Sequence, residues 1–363
     1  MVLSVRKNFP AFVTGASGFI GGKIAERLLA EGRKVRVLSR RPLPELAAKG
    51  AEVVLGDLDD RHALERGCRS AETVFHVAGR VGVWGPRRDF FRVNVDGTKR
   101  LLAACRDAGV QRFVYTSSPS VVYNGGDLRN VDESAPLCLH APCAYPTSKA
   151  AAELAVLQAH SASLATVALR PHLVWGPGDK NVVPRVMTLA RRGKLKVVGE
   201  GTNKVDITHI ANVVDAHLLA EGALLNVAVA GVADPGMKNA PGSAPPATGG
   251  TSAGGRAYFI TNDEPVVLWE WINRILNGVG LPAVTKNVPL PVAYAAGGLC
   301  EAWWRVTGKS GEPPMTRFVA KELATDHYFN IAAARRDLGY HPLVSVEEGT
   351  QELIEHYRKG NAY

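Results

Sequence analysis

Cysteine is scarce and irregularly placed. The five residues Cys68, Cys105, Cys138, Cys143 and Cys300 are an odd number and contain no C-x-x-C pair. That spacing excludes a disulfide framework and a structural zinc site, no metal ligand set is expected, and the usage fits a reducing cytoplasm. Met1 to Pro10 lacks the apolar core of a secretory signal. Aromatic residues make up only 7% of the chain and do not interleave with basic clusters, so nucleic acid is not an expected partner. Acidic residues are outnumbered, 34 against 43 basic, giving a formal charge of +9. Arg33 to Arg41, Arg87-Arg88 and Arg185 to Lys196 hold much of the excess. They read either as solvated faces or as attraction for an anionic cofactor, substrate or membrane surface. A long hydrophobic run is also missing. Val288 to Trp304, with Glu301 its one charge, barely reaches spanning length and reads as a buried or lid helix, with peripheral membrane contact as the alternative.

What is present is alternation. Apolar runs at Ala11–Thr14, Lys34–Leu38, Glu52–Leu55, Thr73–Val77, Arg112–Thr116 and Ala165–Arg170 alternate with helical patterns, including Gly18–Glu31, Asn94–Ala108 and Pro146–His160. The expected fold is an α/β, Rossmann-type doubly wound parallel sheet with a smaller, interleaved C-terminal substrate domain. Residues 1–175 form the expected dinucleotide-binding unit, with 205–230 and 256–262 returning to it. Residues 176–204 and 263–363 form the substrate-binding region. Residues 231–255, rich in Gly, Pro, Ala, Ser and Thr, read as a flexible insertion.

Thr14-Gly-Ala-Ser-Gly-Phe-Ile-Gly21 follows the first strand and opens a helix. Its spacing, G-x-x-G-x-x-G, departs from the common G-x-G-x-x-G but keeps the physical logic. Gly15 makes the tight turn, Gly18 admits a pyrophosphate, and Gly21 packs helix on strand. Ser17, Phe19 and Ile20 belong to the same loop, and the helix N-terminus faces the phosphate charge. The second strand ends Leu38-Ser39-Arg40-Arg41, with no carboxylate to accept from a ribose 2′-hydroxyl. Arginine pairs with phosphate, so NADP(H) is expected, with Ser39, Arg40 and Arg41 at the 2′-phosphate and NAD(H) as the alternative.

Tyr145-Pro-Thr-Ser-Lys149 places a phenol and an amine four residues apart, on one helix face. The ammonium is expected to favour the phenolate and lower the Tyr145 pKa. Tyr115-Thr-Ser-Ser118 ends a strand just upstream. His172 and Trp84 are further candidates for substrate contact, each with packing as an equal alternative.

Together these stretches resemble the extended short-chain dehydrogenase/reductase family. The resemblance implies that Ser118, Tyr145 and Lys149 are catalytic, with Ser117 the fallback for Ser118. It implies that Asp57 and Leu58 lie at the adenine, and that Val77, Ala78, Gly79, Pro171 and Leu173 lie along the nicotinamide half. Asn94 resembles the family's helix asparagine. Arg170-Pro-His-Leu-Val-Trp-Gly-Pro-Gly-Asp179, Gly201–Thr208 and Tyr258–Pro265 are similar to the 3β-hydroxysteroid dehydrogenase branch. Within that branch, Gly85 and Ser310–Arg317 look most like 2-alkyl-3-oxoalkanoate reductases of long-chain olefin biosynthesis.

The implied reaction is NADPH-dependent reduction of a long-chain 2-alkyl-3-oxo acid to the 3-hydroxy acid, with Tyr145 the proton donor. A 3β-hydroxysteroid or sterol-4-carboxylate dehydrogenase and a nucleotide-sugar epimerase are the alternatives, and a dinucleotide-binding sensor lacking turnover is the non-enzymatic one. The expected partner is a hydrophobic 3-oxo or 3-hydroxy acid or a sterol. A homodimer through the Asn94 and Pro146 helices is the family-like expectation, with peripheral membrane or multienzyme contact besides.

Overall fold

A computed structural model describes residues 9–141, 143–180, 182–230 and 253–360. Most of the insertion read at 231–255 therefore lies outside the described residues.

Seven parallel strands form the main sheet: β1 (Ala11–Thr14), β2 (Val35–Ser39), β3 (Glu52–Leu55), β4 (Thr73–His76), β5 (Arg112–Thr116), β6 (Ala165–Pro171) and β7 (Arg256–Ile260). Their spatial order is β7-β6-β5-β4-β1-β2-β3. β1 lies inside the sheet, pairing with β2 and β4 in one register, Ala11 opposite both Val35 and Thr73. Strand order reverses beside β1, which opens a crevice at the carboxyl ends of β1 and β4. Strands buried on both faces read as short apolar runs, and the Val-, Phe- and Ala-rich segments do so. Two apolar layers cover the sheet. One holds Val13, Ile24, Leu28, Phe75 and Val214; the other holds Phe12, Leu64, Leu101, Phe113 and Val156.

A third core lies beyond the sheet, around Trp175, Val205, Trp269, Trp271 and Leu353. Beside it stands a four-stranded sheet ordered Val266–Val267, Lys204–Val205, His327–Phe329, Leu128–Val131. The Leu128–Val131 strand comes from a segment the sequence reading kept wholly within the first unit. Short and half polar, it carries no strand signal and is recruited by pairing with His327–Phe329. Val288–Trp304 is seen as the helix Leu290–Thr307, which packs on the short helix Arg317–Glu322. A Cβ on Gly297 would stand 2.7 Å from the Thr316 carbonyl carbon, so the two segments meet backbone to backbone. No helix among the described residues is long and apolar enough to cross a membrane.

Candidate active site

The glycine loop is tight. Gly15 has φ +75°, and a Cβ there would lie 2.7 Å from the Ala78 amide nitrogen. A Cβ on Gly21 would lie 2.5 Å from the Gly15 carbonyl oxygen. The helix Phe19–Ala30 begins at Gly18 with no side-chain cap, leaving its first-turn N–H groups directed at the crevice. This cradle fits a dinucleotide pyrophosphate. At the end of β2, Ser39 is buried, while Arg40 and Arg41 are exposed and form no ion pair among the described residues. The Gly56 amide donates to the Ser39 carbonyl at 3.0 Å, which brings Asp57 beside them. The exposed Asp57 carboxylate accepts from the Asp59 amide at 2.8 Å. The Leu58 side chain turns into the core against Gly97.

Behind the loop, His76 locks three elements together. Thr98 Oγ1 donates to the Asn94 carbonyl, so it accepts from His76 Nε2–H at 2.8 Å, and Thr14 Oγ1 donates to His76 Nδ1 at 2.8 Å. Burial holds this imidazole neutral, its pKa lowered to about 3. Asn94 lies in a π-helical turn, Arg92–Asp96. Its Oδ1 accepts from the Arg80 amide at 2.6 Å, while Nδ2 donates to the Arg80 carbonyl at 3.0 Å and to Ser148 Oγ at 2.9 Å. The loop after β4 is thereby fastened to the helix that carries Tyr145 and Lys149.

That helix spans Ala144–Gln158. Tyr145, Lys149 and Ser118 line one cavity of about 840 Å³, together with Ser117, Ile20, Val77, Gly79, Pro171, His172 and Leu173. Residues from five separate segments of the sequence thus converge there. Lys149 is buried, and its ammonium donates to the Thr116 carbonyl at 2.6 Å and lies over the Tyr115 ring. Burial lowers its pKa to about 7, partly opposed by Glu153. Glu153 is itself buried in an ion pair with Arg170, at 2.6 Å and 3.0 Å. Ser118 caps the 3₁₀ turn Pro119–Val122 and shares a 2.9 Å hydrogen bond with Ser120 Oγ.

The expected depression of Tyr145 by Lys149 is overturned. Burial raises the Tyr145 pKa above its ordinary value, and a hydrogen bond with Ser118 is what pulls it down. Lys149 is committed to a carbonyl and is itself made less basic by burial. A phenol held this way keeps its proton at neutral pH, the form a proton donor needs.

His172 reaches the cavity wall but is spoken for. His327 Nε2 donates to the Glu322 carbonyl at 2.7 Å, so its Nδ1 accepts from His172 Nε2–H at 2.6 Å. Trp84 lies in a neighbouring cavity of about 1100 Å³, lined also by Phe90, Tyr123, Tyr294, Trp304 and Arg305. Val83 and Phe318 border both cavities. Sequence reasoning missed Phe318 and Glu322, which line the Tyr145 cavity from the helix Arg317–Glu322. Burial raises the Glu322 pKa. No local pattern marks these two; only the Thr316 cap, whose Oγ1 accepts from the Val319 amide, signals their helix. Ser117 Oγ and Trp304 Nε1 are buried without a hydrogen-bond partner among the described residues, one in each cavity.

Residues 12–292 match the model of the 3-beta hydroxysteroid dehydrogenase/isomerase family. The chain is 43% identical over 350 residues to a 2-alkyl-3-oxoalkanoate reductase of Shewanella oneidensis, covering 94% of this chain and 85% of that one. It is 41% identical to a 2-alkyl-3-oxoalkanoate reductase of Stenotrophomonas maltophilia, covering 94% and 97%. A human decarboxylating sterol-4-alpha-carboxylate 3-dehydrogenase is 33% identical, covering 95% and 87%. Among solved structures, MoeE5 in complex with UDP-glucose and NAD superposes with TM-score 0.68 at 27% identity, covering 97% of this chain and 99% of that one.

Proposed function

Because this chain belongs to the 3-beta hydroxysteroid dehydrogenase/isomerase family and is an NAD(P)-dependent oxidoreductase of the extended short-chain type, we propose that it reduces a long-chain 2-alkyl-3-oxo acid to the 3-hydroxy acid, using NADPH. The observation that carries this reading is the meeting of Ser118, Tyr145 and Lys149 in one cavity, bordered by a second, larger, aromatic-lined one.

A bound nicotinamide supplies the hydride that reaches C3. The chain supplies the rest. The uncapped helix at Gly18 holds the pyrophosphate. Arg40 and Arg41, which pair with no carboxylate among the described residues, take the 2′-phosphate. Lys149 and the loop Val77–Gly79 face the nicotinamide half of the cavity. Tyr145 donates its proton to the C3 oxygen, and Ser118 donates a hydrogen bond to the same oxygen as charge develops there. The balance is one 3-oxo acid, one NADPH and one solvent proton consumed, with one 3-hydroxy acid and NADP⁺ released. The alkyl chains occupy the 1100 Å³ cavity among Trp84, Phe90 and Tyr294.

Similarity to sterol-4-carboxylate dehydrogenases favours one second reading, since those substrates also carry oxygen at the carbon β to a carboxylate. Nicotinamide absorbance separates the two. Rapid NADPH oxidation with 2-alkyl-3-oxo acids, and none with 3-oxo sterols, is expected. Turnover confined to sterols, or to nucleotide sugars, would sink the proposal, and a preference for NADH would sink its cofactor half.

A further inference from the structure

Four cations line the Tyr145 cavity: Arg80, Lys149, Lys180 and Arg185. A 2-alkyl-3-oxo acid whose C3 oxygen meets Tyr145 carries its carboxylate on the carbon adjacent to C3, so that charge also lies within this cavity. Lys149 is committed to the Thr116 carbonyl, and Arg80 lies over the Phe90 ring at 5.0 Å. Lys180 is exposed and pairs with no carboxylate among the described residues. Arg185 alone of the four has a carboxylate on it. Its Nη1 donates to Glu312 Oε2 at 3.2 Å.

Arg185 stands on the helix Val182–Arg191. Arg185, Thr188 and Leu189, three and four residues apart, present one face of that helix to the cavity. Glu312 comes from the opposite side, on the chain between the helices Leu290–Thr307 and Arg317–Glu322. Its Oε1 accepts from the Val83 amide at 3.0 Å, and a Cβ on Gly82 would stand 2.7 Å from that oxygen. The carboxylate is therefore seated on the backbone of the loop after β4, and its second oxygen is what reaches Arg185. That reach is poor. It uses one N–H at 3.2 Å, where charge-assisted bonds close to about 2.7–2.9 Å. The two side chains are 51% and 35% exposed, so solvent screens the pair. The rest of the guanidinium fork has no carboxylate among the described residues.

We propose that Arg185 is the receptor for the substrate carboxylate, and that Glu312 is an internal carboxylate which the substrate displaces from it. The proposal rests on the function proposed above. A carboxylate free to turn can meet the planar fork with both oxygens, which Glu312, held by Val83, does not. Glu312 Oε1 stays on the Val83 amide after the exchange, so the loop keeps its anchor. The other acid in the lining, Glu322, does not compete for Arg185, since burial raises its pKa and favours the neutral form. A compound without a carboxylate leaves Arg185 on Glu312 and gains nothing there. The pair thus selects acids over esters of the same shape.

The test is the ratio of kcat/KM for NADP⁺ reduction by a 2-alkyl-3-hydroxy acid to that by its methyl ester, measured on the full chain. These compounds run the reaction in reverse and, unlike the 3-oxo acid, do not lose carbon dioxide. The wild type should prefer the acid. Arg185→Gln should lower the ratio about ten- to a hundredfold, through KM, and Arg185→Lys should restore part of it. Glu312→Gln keeps an oxygen for the Val83 amide but removes the competing charge, and should raise the ratio by up to about fivefold. Ester turnover by each variant reports that it has folded. A tether that only positions the helix would change acid and ester alike, and that result overturns the proposal. So does a ratio that falls with Lys180→Gln and not with Arg185→Gln. Wild-type inactivity on both compounds defeats the proposed function and this inference with it; wild-type activity with a ratio unmoved by Arg185→Gln defeats the inference alone.

Discussion

The cofactor crevice and the substrate cavity are built on opposite plans. The crevice is backbone-made and local. Eight consecutive residues, Thr14–Gly21, supply the turn, the close approach and the helix terminus, and Ala78 closes against them. The cavity wall is side-chain-made and assembled from afar. Trp84, Tyr123, Tyr294 and Phe318 reach it from segments spread over more than two hundred residues. A crevice of the first kind tolerates no side chain at its critical points. A wall of the second kind tolerates exchange of its lining but depends on how its helices are spaced.

Tyr145→Phe bears on the junction of the two and has the largest expected effect. Turnover should fall by roughly 10²–10⁴-fold, with nicotinamide binding, followed by fluorescence, intact. Retained turnover would move the proton donor elsewhere.

Two glycine substitutions then divide the halves. Gly15→Ala forces a side chain into φ +75° and onto the Ala78 amide, a strain of about 1–3 kcal/mol. Cofactor affinity should drop while the substrate KM holds. Gly297→Val pushes the helix Leu290–Thr307 off Thr316. Here the KM for a long-chain substrate should rise and the cofactor Kd should hold. If either variant damages both constants equally, the two sites are mechanically one.

Arg40→Ala/Arg41→Ala is a smaller change. NADPH should bind about ten- to a hundredfold more weakly, as befits loss of charge-assisted hydrogen bonds of about 1.5–3 kcal/mol, with NADH affinity unaltered. A parallel loss for both coenzymes would place the arginines away from the 2′-phosphate.

The last prediction concerns stability. Lys149 titrates near 7 in the folded chain against 10.5 ordinarily. Between those values the unfolded chain binds the extra proton, so this group makes stability rise with pH from about 7 toward 10.5, and its full cost is felt below 7. Lys149→Met should flatten that rise in a series of thermal melts; an unchanged slope would mean that the ammonium is not desolvated.

The same contrast explains what the sequence disclosed. Strand Ala11–Thr14, the three glycines and the Tyr145 helix were legible because each obeys a rule spanning a few residues. The convergence of Ser118 with Tyr145 was reachable only through family resemblance, since β5 and the helix Ala144–Gln158 are brought together by the fold. Glu322 and Phe318 were illegible. Their short helix has no period long enough to detect, and their place in the cavity follows from packing between Arg317 and Glu301. The sign of the Tyr145 shift was misjudged for a related reason. Spacing shows that two side chains share a face, whereas a proton's affinity depends on how much water the rest of the chain removes.

The seventh strand carries a consequence for synthesis. Six strands of the main sheet are complete once the ribosome has passed Pro171, but β7 arrives only at Arg256–Ile260. Until then the nascent chain holds a sheet whose β6 edge is unpaired, rich in Val, Ala and Leu, and open to any neighbouring strand. The cellular hazard for this protein lies in that interval of translation, and chaperone capture of chains stalled between those two strands is where it would be seen.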